Sequence, residues 1–413
     1  MPVELPPLQS DTSPPSPPRA LIWAALLAVM MLAGVALMVL NWPEQPSARS
    51  ARFWAQWLGL PLLAWAALFG LRLHAHDDAC NRLAAEDAVR KAERESGIAF
   101  GSEPLAIVDA ACWCGLGANG VAAAMAAGAS RLEARCPHDG LPAVRHTRLP
   151  PCGETLAERY QDVFDRLLDQ LAERVRTLPR TVPFEVQLHV PAASEPAAMV
   201  AWNAAWQSHG LPSAGEAPRR AREGLMALDA WLDKYGGPEL EKVVLLVAVQ
   251  LHEHPPQHSA EAAVALLAGW APLLQRQAIG AMAMLHRPVQ CEDGAPGPEL
   301  AARVGAAVQT AAMWARTTPA EFGWVWHTGL GGNAVGALQQ AVAPVGGPAQ
   351  ATNVTNIDAA LGHPGTAAAW LGIALAVEHA AVTQAQQLVI CGEDDICMAG
   401  IRPAATMRKT GMA

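Results

Sequence analysis

The sequence predicts an α/β layered body preceded by a transmembrane helical hairpin. Two long apolar runs lie before residue 75, and from residue 104 onward strand-like and helix-like segments alternate. A charged stretch separates these regions and sets the boundary. At 413 residues the chain allows two or three domains, or one large duplicated one. Lys and Arg number 29 against 38 Asp and Glu, a net charge of −9 without a Lys/Arg-rich run, so nucleic acid is not an expected partner.

Residues 1–19, rich in Pro and Ser, read as a disordered tail. Residues 20–75 read as two transmembrane helices. The first, Ala20 to Leu40, carries no charge over the roughly 20 residues that a membrane crossing needs. Asn41-Trp42-Pro43 closes it with an interfacial aromatic and a helix breaker. The second, Phe53 to Leu71, is interrupted by Gln56 and Pro61 and ends at Arg72. The first run is too long for a cleaved signal and lacks a small-x-small site. Arg72, Arg82, Arg90 and Lys91 follow the second run, whereas Arg49 and Arg52 lie in the turn. The positive-inside rule then places the body in the cytoplasm, and an Ala-rich composition with abundant Arg, Pro and Trp, as high-GC bacterial genomes encode, makes a bacterial inner membrane the expected location. If the second run does not insert, the body moves to the other side. Residues 76–103 read as a helical linker, supported by the pairs Glu86–Arg90 and Asp87–Lys91.

The body is expected over residues 104–402, with a tail at 403–413. Leu105 to Cys112 is a buried-type strand, followed by a Gly-rich turn and a helix from Val121 to Ala127. Thr155 to Thr177 is amphipathic, with Leu156, Val163, Leu167, Leu171 and Val175 on one side. Phe184 to Val190 alternates as a strand does. A helix is expected at Glu223 to Tyr235, a strand at Val243 to Leu251, and a strand or short helix at Ala260 to Leu267. Helices at 299–317, Ala334 to Val342 and Thr366 to Ala380 alternate with strands at Gly323 to Trp326, Gln387 to Cys391 and Ile396 to Ile401.

Eight cysteines in so long a chain do not make a disulfide framework. Cys112-Trp-Cys114 with Cys136, His138 and Cys152 could serve zinc, but burial in a core strand is the simpler expectation. His252-Glu253-His254 with His258 is the most metal-like cluster. Glu393, Asp394 and Asp395 read as a hairpin tip in water. Gly329-Leu330-Gly331-Gly332 lacks the Lys and Ser/Thr of a phosphate loop and reads as a turn.

Three segments in order carry a resemblance. VDAACWCGLGANGVAAAMAAGASRL, from Val108 to Leu132, resembles the opening strand, loop and helix of β-ketoacyl synthases. EFGWVWHTGLGGNAVGALQQ, from Glu321 to Gln340, is similar to their second-half strand with its HGT motif. NIDAALGHPGTAAAWLGIAL, from Asn356 to Leu375, resembles their GH-x-x-GAAG segment, and its GHPG is similar to thiolases. The resemblance spans residues 104–402, loosely in the middle, and implies a thiolase-like layered αβαβα fold of two related halves. In that family a cysteine thiolate at a helix N-terminus reacts, while two histidines stabilise the oxyanion. His327 and His363 match the histidines. The nucleophile pattern falls on Ala221-Arg-Glu-Gly224-Leu225, which puts Ala221 at the cysteine, and no cysteine lies between Cys152 and Cys291. Ser213 is the nearest upstream hydroxyl, with no local base. Asp358 stands where ketosynthases carry a lysine, and the gating loop reads Cys391-Gly-Glu-Asp-Asp395.

The resemblance thus implies a body that has lost its chemistry and needs no cofactor. The expected function is a non-catalytic scaffold or adaptor at the membrane, with an accessory factor of a type VI-like secretion system as one version. The alternatives are a membrane-associated acyltransferase or condensing enzyme, and an acyl-group sensor. A protein partner, or a homodimer or heterodimer like that of chain-length-factor subunits, is expected alongside the membrane.

Overall fold

The computed structural model of the protein describes residues 3–7, 15–40, 55–136, 142–150, 153–212, 215–216, 224–294, 297–342 and 353–404. It falls into two units, Glu4–Gly97 and, with the first three residues, Ile98–Ala413.

In the first unit, α1 (Ala20–Leu40) is apolar around its whole circumference, and Leu21 and Leu40 are more than four-fifths exposed. A helix of that kind belongs in a bilayer or a protein core. The indole nitrogen of Trp65 donates to the carbonyl of Trp23 at 2.9 Å, and Phe69 packs on both rings. The structure does not support the expected transmembrane hairpin. After a π-helical turn at Ala55–Gly59, α2 (Leu60–Gly101) runs for 42 residues, joining the second apolar run to the charged linker in one helix. The π-helical turn runs straight into α2, and Pro61, which has no N–H to donate, sits just past it. The apolar part ends at Arg72, with His74, His76, Asp77 and Asp78 just beyond, well short of a span. Among the described residues, Ala20–Leu37 and Gly365–Thr383 are long and apolar enough to cross a membrane, and the latter is mostly buried inside the body.

The body opens with β1 (Leu105–Cys114), α3 (Val121–Ala126), β2 (Glu133–Arg135) and β3 (Val144–Thr147). It continues through α4 (Leu156–Arg176), β4 (Phe184–His189), α5 (Glu195–Ser208), β5 (Gly215–Glu216), α6 (Ala227–Leu232) and β6 (Val243–Gln250). Then come β7 (Ser259–Ala260), β8 (Ala262–Trp270), α7 (Ala271–Arg276), β9 (Ala283–Leu285) and β10 (Val289–Cys291). The rest is α8 (Gly297–Trp314), β11 (Phe322–Thr328), α9 (Gly332–Ala341), β12 (Asn353–Asn356), α10 (Ile357–Leu361), α11 (Ala368–Thr383), β13 (Gln386–Gly392) and β14 (Ile396–Pro403). Thr155 and Glu158 form a capping box that starts α4 at its expected residue. α5 and the short strands β9, β10 and β12 have no counterpart in the sequence reading, because alanines blur the period of α5 and three or four residues carry no readable alternation.

Two halves repeat one topology. β4 runs parallel to β5 and β6, and β6 pairs antiparallel with β8. β11 likewise runs parallel to β12 and β13, and β13 pairs antiparallel with β14. Three cores stack these halves into layers. Phe164 and Leu167 of α4 and Trp202 of α5 cover Leu245 and Val247 of β6 from outside. The opposite face of that strand, through Leu246 and Ala248, meets Leu228 of α6 and Leu371 and Leu375 of α11. The same helices reach Val389 of β13 and Ile401 of β14, whose far side is covered by Val304 and Val308 of α8 and Leu338 of α9. The strands of both halves belong to one eleven-stranded sheet, joined where β9 pairs with both β1 and β14, and its two halves give the order helix, sheet, helix, sheet, helix. Strict alternation of side chains across each strand is what lets one sheet bury both faces.

Candidate functional site

The second half brings both sequence-predicted histidines to one turn cluster. β11 delivers His327 at its end, followed by Thr328 and a turn at Gly329, whose φ of 72° and close approach to the carbonyl of Gly392 leave no room for a side chain. Asn356 caps α10 through the amide of Ala359 at 3.0 Å, which orients Asp358 in the first turn. The Asp358 carboxylate accepts from the Thr328 hydroxyl at 2.6 Å and from the amide of Gly329 at 2.5 Å, and its Oδ1 lies 3.4 Å from Nδ1 of His363. Burial alone would raise its pKa, but His363, Thr328 and Gly329 together hold it below the usual carboxylate value. α10 ends at Gly362, and His363 is clamped by its backbone. Its amide donates to the carbonyl of His258 at 2.8 Å, and its carbonyl accepts from Ala260 at 2.9 Å.

His327 is 3% exposed, and its Nδ1 has no hydrogen-bond partner. Burial pushes its pKa down against the pull of the Asp358 charge. The side chain of His363 is half exposed. Asp358 therefore links His363 to Thr328, the residue that follows His327.

Ala221, Ser213, His138 and Cys152 lie outside the described residues. The described chain resumes at Gly224, with φ of 43°, where the Glu393 carboxylate fills the space a Cβ would take and accepts from the amide of Leu225. Burial raises the Glu393 carboxyl, opposed by that amide. Glu393 is thus not the free, solvated tip that the sequence reading expects, because a backbone amide one turn before α6 holds it.

Among the described residues no thiol bonds to His327 or His363. Cys112 and Cys114 project from one face of β1 into the central core. Burial pushes the Cys112 thiol well up and carries Cys114 to about 11. Cys391 is raised by its bonded neighbour Cys397 and by burial. Burial also raises Cys291. A thiol that stays protonated is a poor nucleophile and a poor metal ligand.

The metal-like histidines also part company. Nε2 of His252 faces the amide of Gln250 at 3.4 Å, and its ring lies edge-on to His146. His258 adopts a φ of 59° and engages His363 through its carbonyl. Among the described residues no group of three His, Cys, Asp or Glu, His252, His254 and His258 included, is placed to hold a metal ion.

A second feature escaped the sequence reading. Glu261 opens β8 fully buried, bonded to Nη2 of Arg159 at 2.6 Å and to the amides of Leu149 and His252. Its signal was present, since Arg159 is the charged residue on the apolar stripe between Leu156 and Val163. Beneath the first half's sheet lies a cavity of about 260 Å³ bounded by Leu246 and Leu266, by Leu228 and Trp231 of α6, and by Trp370 and His189. Burial lowers the pKa of His189 to about 4.

No protein-family model matches this chain, and no curated protein matches it. Solved structures do. An ishigamide ketosynthase/chain length factor aligns over 73% of this chain and 100% of its own, at 16% identity and a TM-score of 0.53. The ketosynthase from module 1 of the bacillaene synthase of Bacillus amyloliquefaciens aligns over 74% of this chain and 76% of its own, at 14% identity and a TM-score of 0.52. A type II polyketide ketosynthase, in complex with its acyl-carrier protein and bound to a hexaketide, aligns over 73% of this chain and 100% of its own, at 10% identity and 0.52. The body has the thiolase-like fold of ketosynthases.

Proposed function

We propose that this chain is a membrane-anchored, non-catalytic ketosynthase-like protein whose body serves as a scaffold or adaptor for another protein. The observation that carries this reading is the absence of any cysteine between Cys152 and Cys291, the whole segment that could supply the thiolate. Two further features fit. The Glu393 carboxylate occupies the backbone amide of Leu225 just before the central helix of the first half. Asp358 adds negative charge beside His363, where a developing oxyanion would need the opposite sign. The large fold is retained while the chemistry is gone, so its surfaces are what remain to be used. A partner of the ketosynthase type, complemented by this chain in a heterodimer, is one occupant of those surfaces, and a component of a type VI-like secretion machine is another.

α1 is the anchor. With one span, Arg49, Arg52 and Arg72 fall on its body side against Arg19 on the other, so the charge count favours a cytoplasmic body at a bacterial inner membrane, contrary to the expectation that loss of the second span would move the body across. Seven described cysteines, all free, fit a reducing compartment. Protease treatment of spheroplasts should leave the body intact, and its digestion from outside reverses this orientation.

The second reading, an acyl-group sensor, is favoured by the cavity against Trp370, whose apolar wall of Leu246, Leu266 and Leu228 faces a charged one that includes Glu185 and Lys242. Incubation of the full chain in detergent micelles with acyl thioesters, followed by intact-mass measurement, separates the readings. No covalent adduct is expected. A stable acyl-enzyme sinks the non-catalytic reading in favour of an acyltransferase or condensing enzyme, and saturable acyl binding without turnover selects the sensor. Capture from native membranes of one stoichiometric protein supports the scaffold.

A further inference from the structure

The sequence has no basic run, yet the fold gathers arginines from four separate segments around one cavity of about 400 Å³. Arg131 follows α3, Arg135 belongs to β2, Arg148 follows β3, and Arg159 lies in the first turn of α4. Two of them are neutralised in place. Arg135 pairs with Glu133 at 2.9 Å, and Arg159 with the buried Glu261 at 2.6 Å. Arg131 and Arg148 are exposed, and no described carboxylate pairs with either. Between them the wall is Thr147, which is 4% exposed and whose Oγ1 has no hydrogen-bond partner among the described residues. Its methyl group is pressed against Gly115 on the same wall, so the residue is held in position while its hydroxyl goes unused. Buried hydroxyls without partners are uncommon and call for an occupant.

We infer that this cavity binds a phosphate monoester, its two negative charges met by Arg131 and Arg148 and one of its oxygens bonded by the Thr147 hydroxyl. Guanidinium forks match phosphate oxygens two at a time, and two uncompensated forks balance a dianion. In a chain of net charge −9, such a local excess of positive charge works against the overall field and marks a place built for an anion. The inference stands whether or not the body has catalytic activity. A soluble phosphate ester and a monoester lipid headgroup share this chemistry.

The test uses the full chain in detergent micelles and calorimetric titration with two probes, glycerol 3-phosphate and dioctanoyl phosphatidic acid, at matched ionic strength. Saturable binding is expected. It should weaken at least about tenfold in the Arg131→Gln/Arg148→Gln double variant, whose exposed side chains carry no fold, and a few-fold in Thr147→Val. Arg174→Gln, on a surface elsewhere, should bind as the parent does. Tighter binding of the lipid assigns the headgroup as the natural source, and equal or weaker binding assigns the free ester. Failure of both probes to saturate the parent, or equal binding by the double variant, overturns the inference.

Discussion

The two halves of the body are one topology used twice, and they have been kept to different standards. β4 and β11 both begin with Phe and carry a His at or near their ends, Phe184 to His189 and Phe322 to His327, and both histidines are buried with lowered pKa values. In register, His189 pairs with Ala248 of β6 as His327 pairs with Ile390 of β13. The central helices differ. The second half has a helix of 16 residues, α11, whereas α6 in the first half has six. The shortened helix leaves part of its own sheet uncovered, and there Trp370 of α11 stands against His189 at 5.3 Å between ring centres. Trp370 and Leu371 of the longer helix share a core with Leu246 and Ala248 of β6, so the first half leans on its twin's helix.

That dependence is open to a direct test. Trp370 is 2% exposed and borders a cavity already present, so Trp370→Ala enlarges a void that the surroundings cannot close. Equilibrium urea denaturation should show a loss of about 4 kcal/mol. A cost below about 1 kcal/mol would mean that α11 does not support the first half.

The short helix is held by charge more than by length. Arg287, 2% exposed, donates to Asp229 at 2.6 Å, to Asp233 at 2.5 Å and to the carbonyl of Leu232 at 3.0 Å. Asp229→Ala takes away the most buried of these acceptors, and about 3 kcal/mol should be lost. Replacing Asp229 by Leu and Arg287 by Met together should recover much of it. If the double change is as damaging as the single one, packing around α6 and not the ion pair sets its position.

The layered fold was legible because each long element carried its own period. The apolar stripe of α4 with Thr155 before it, and the unbroken apolar run of β6, each specify one structure. The histidines were legible through the motifs around them. The role of Asp358 was not, since its partners Thr328 and Gly329 are some thirty residues away and meet it only once β11 and α10 are packed. Glu393 was read as a solvated tip because local sequence cannot show an amide at position 225 approaching it. The second apolar run misled for a different reason: its composition suits a membrane, but the helix continues unbroken into charge.

The pH dependence of stability compares the two buried histidines that have a definite value. His189 in the first half and His286 near the junction are both lowered from 6.5 to about 4, His189 by burial and His286 by burial with Arg402 adding to it. Above pH 6.5 neither state is protonated and their contribution is complete. As the pH falls toward 4 the unfolded chain takes up protons that the folded one refuses, so stability declines. At about 1.4 kcal/mol per pH unit, each group should cost about 2 kcal/mol between pH 7 and 5. His189→Phe should remove one such share from the slope measured by denaturation at pH 7, 6 and 5. An unchanged slope would mean that the ring is hydrated and that the cavity beside it is wet.

The smallest expected effect bears on whether the second half still holds a site at all. Asp358→Asn keeps the shape but gives up the charge: its amide oxygen can still accept from Gly329, while the Thr328 hydroxyl must turn from donor to acceptor. The loss of stability should be about 1–2 kcal/mol. The sharper readout is the His327 ring followed by NMR titration. Burial lowers its pKa and the Asp358 charge raises it, so removing that charge should move the ring further down. A ring that does not move would uncouple His327 from Asp358 and His363, leaving it a buried core histidine like His189 in the other half. The asymmetry between the halves would then lie in helix length alone.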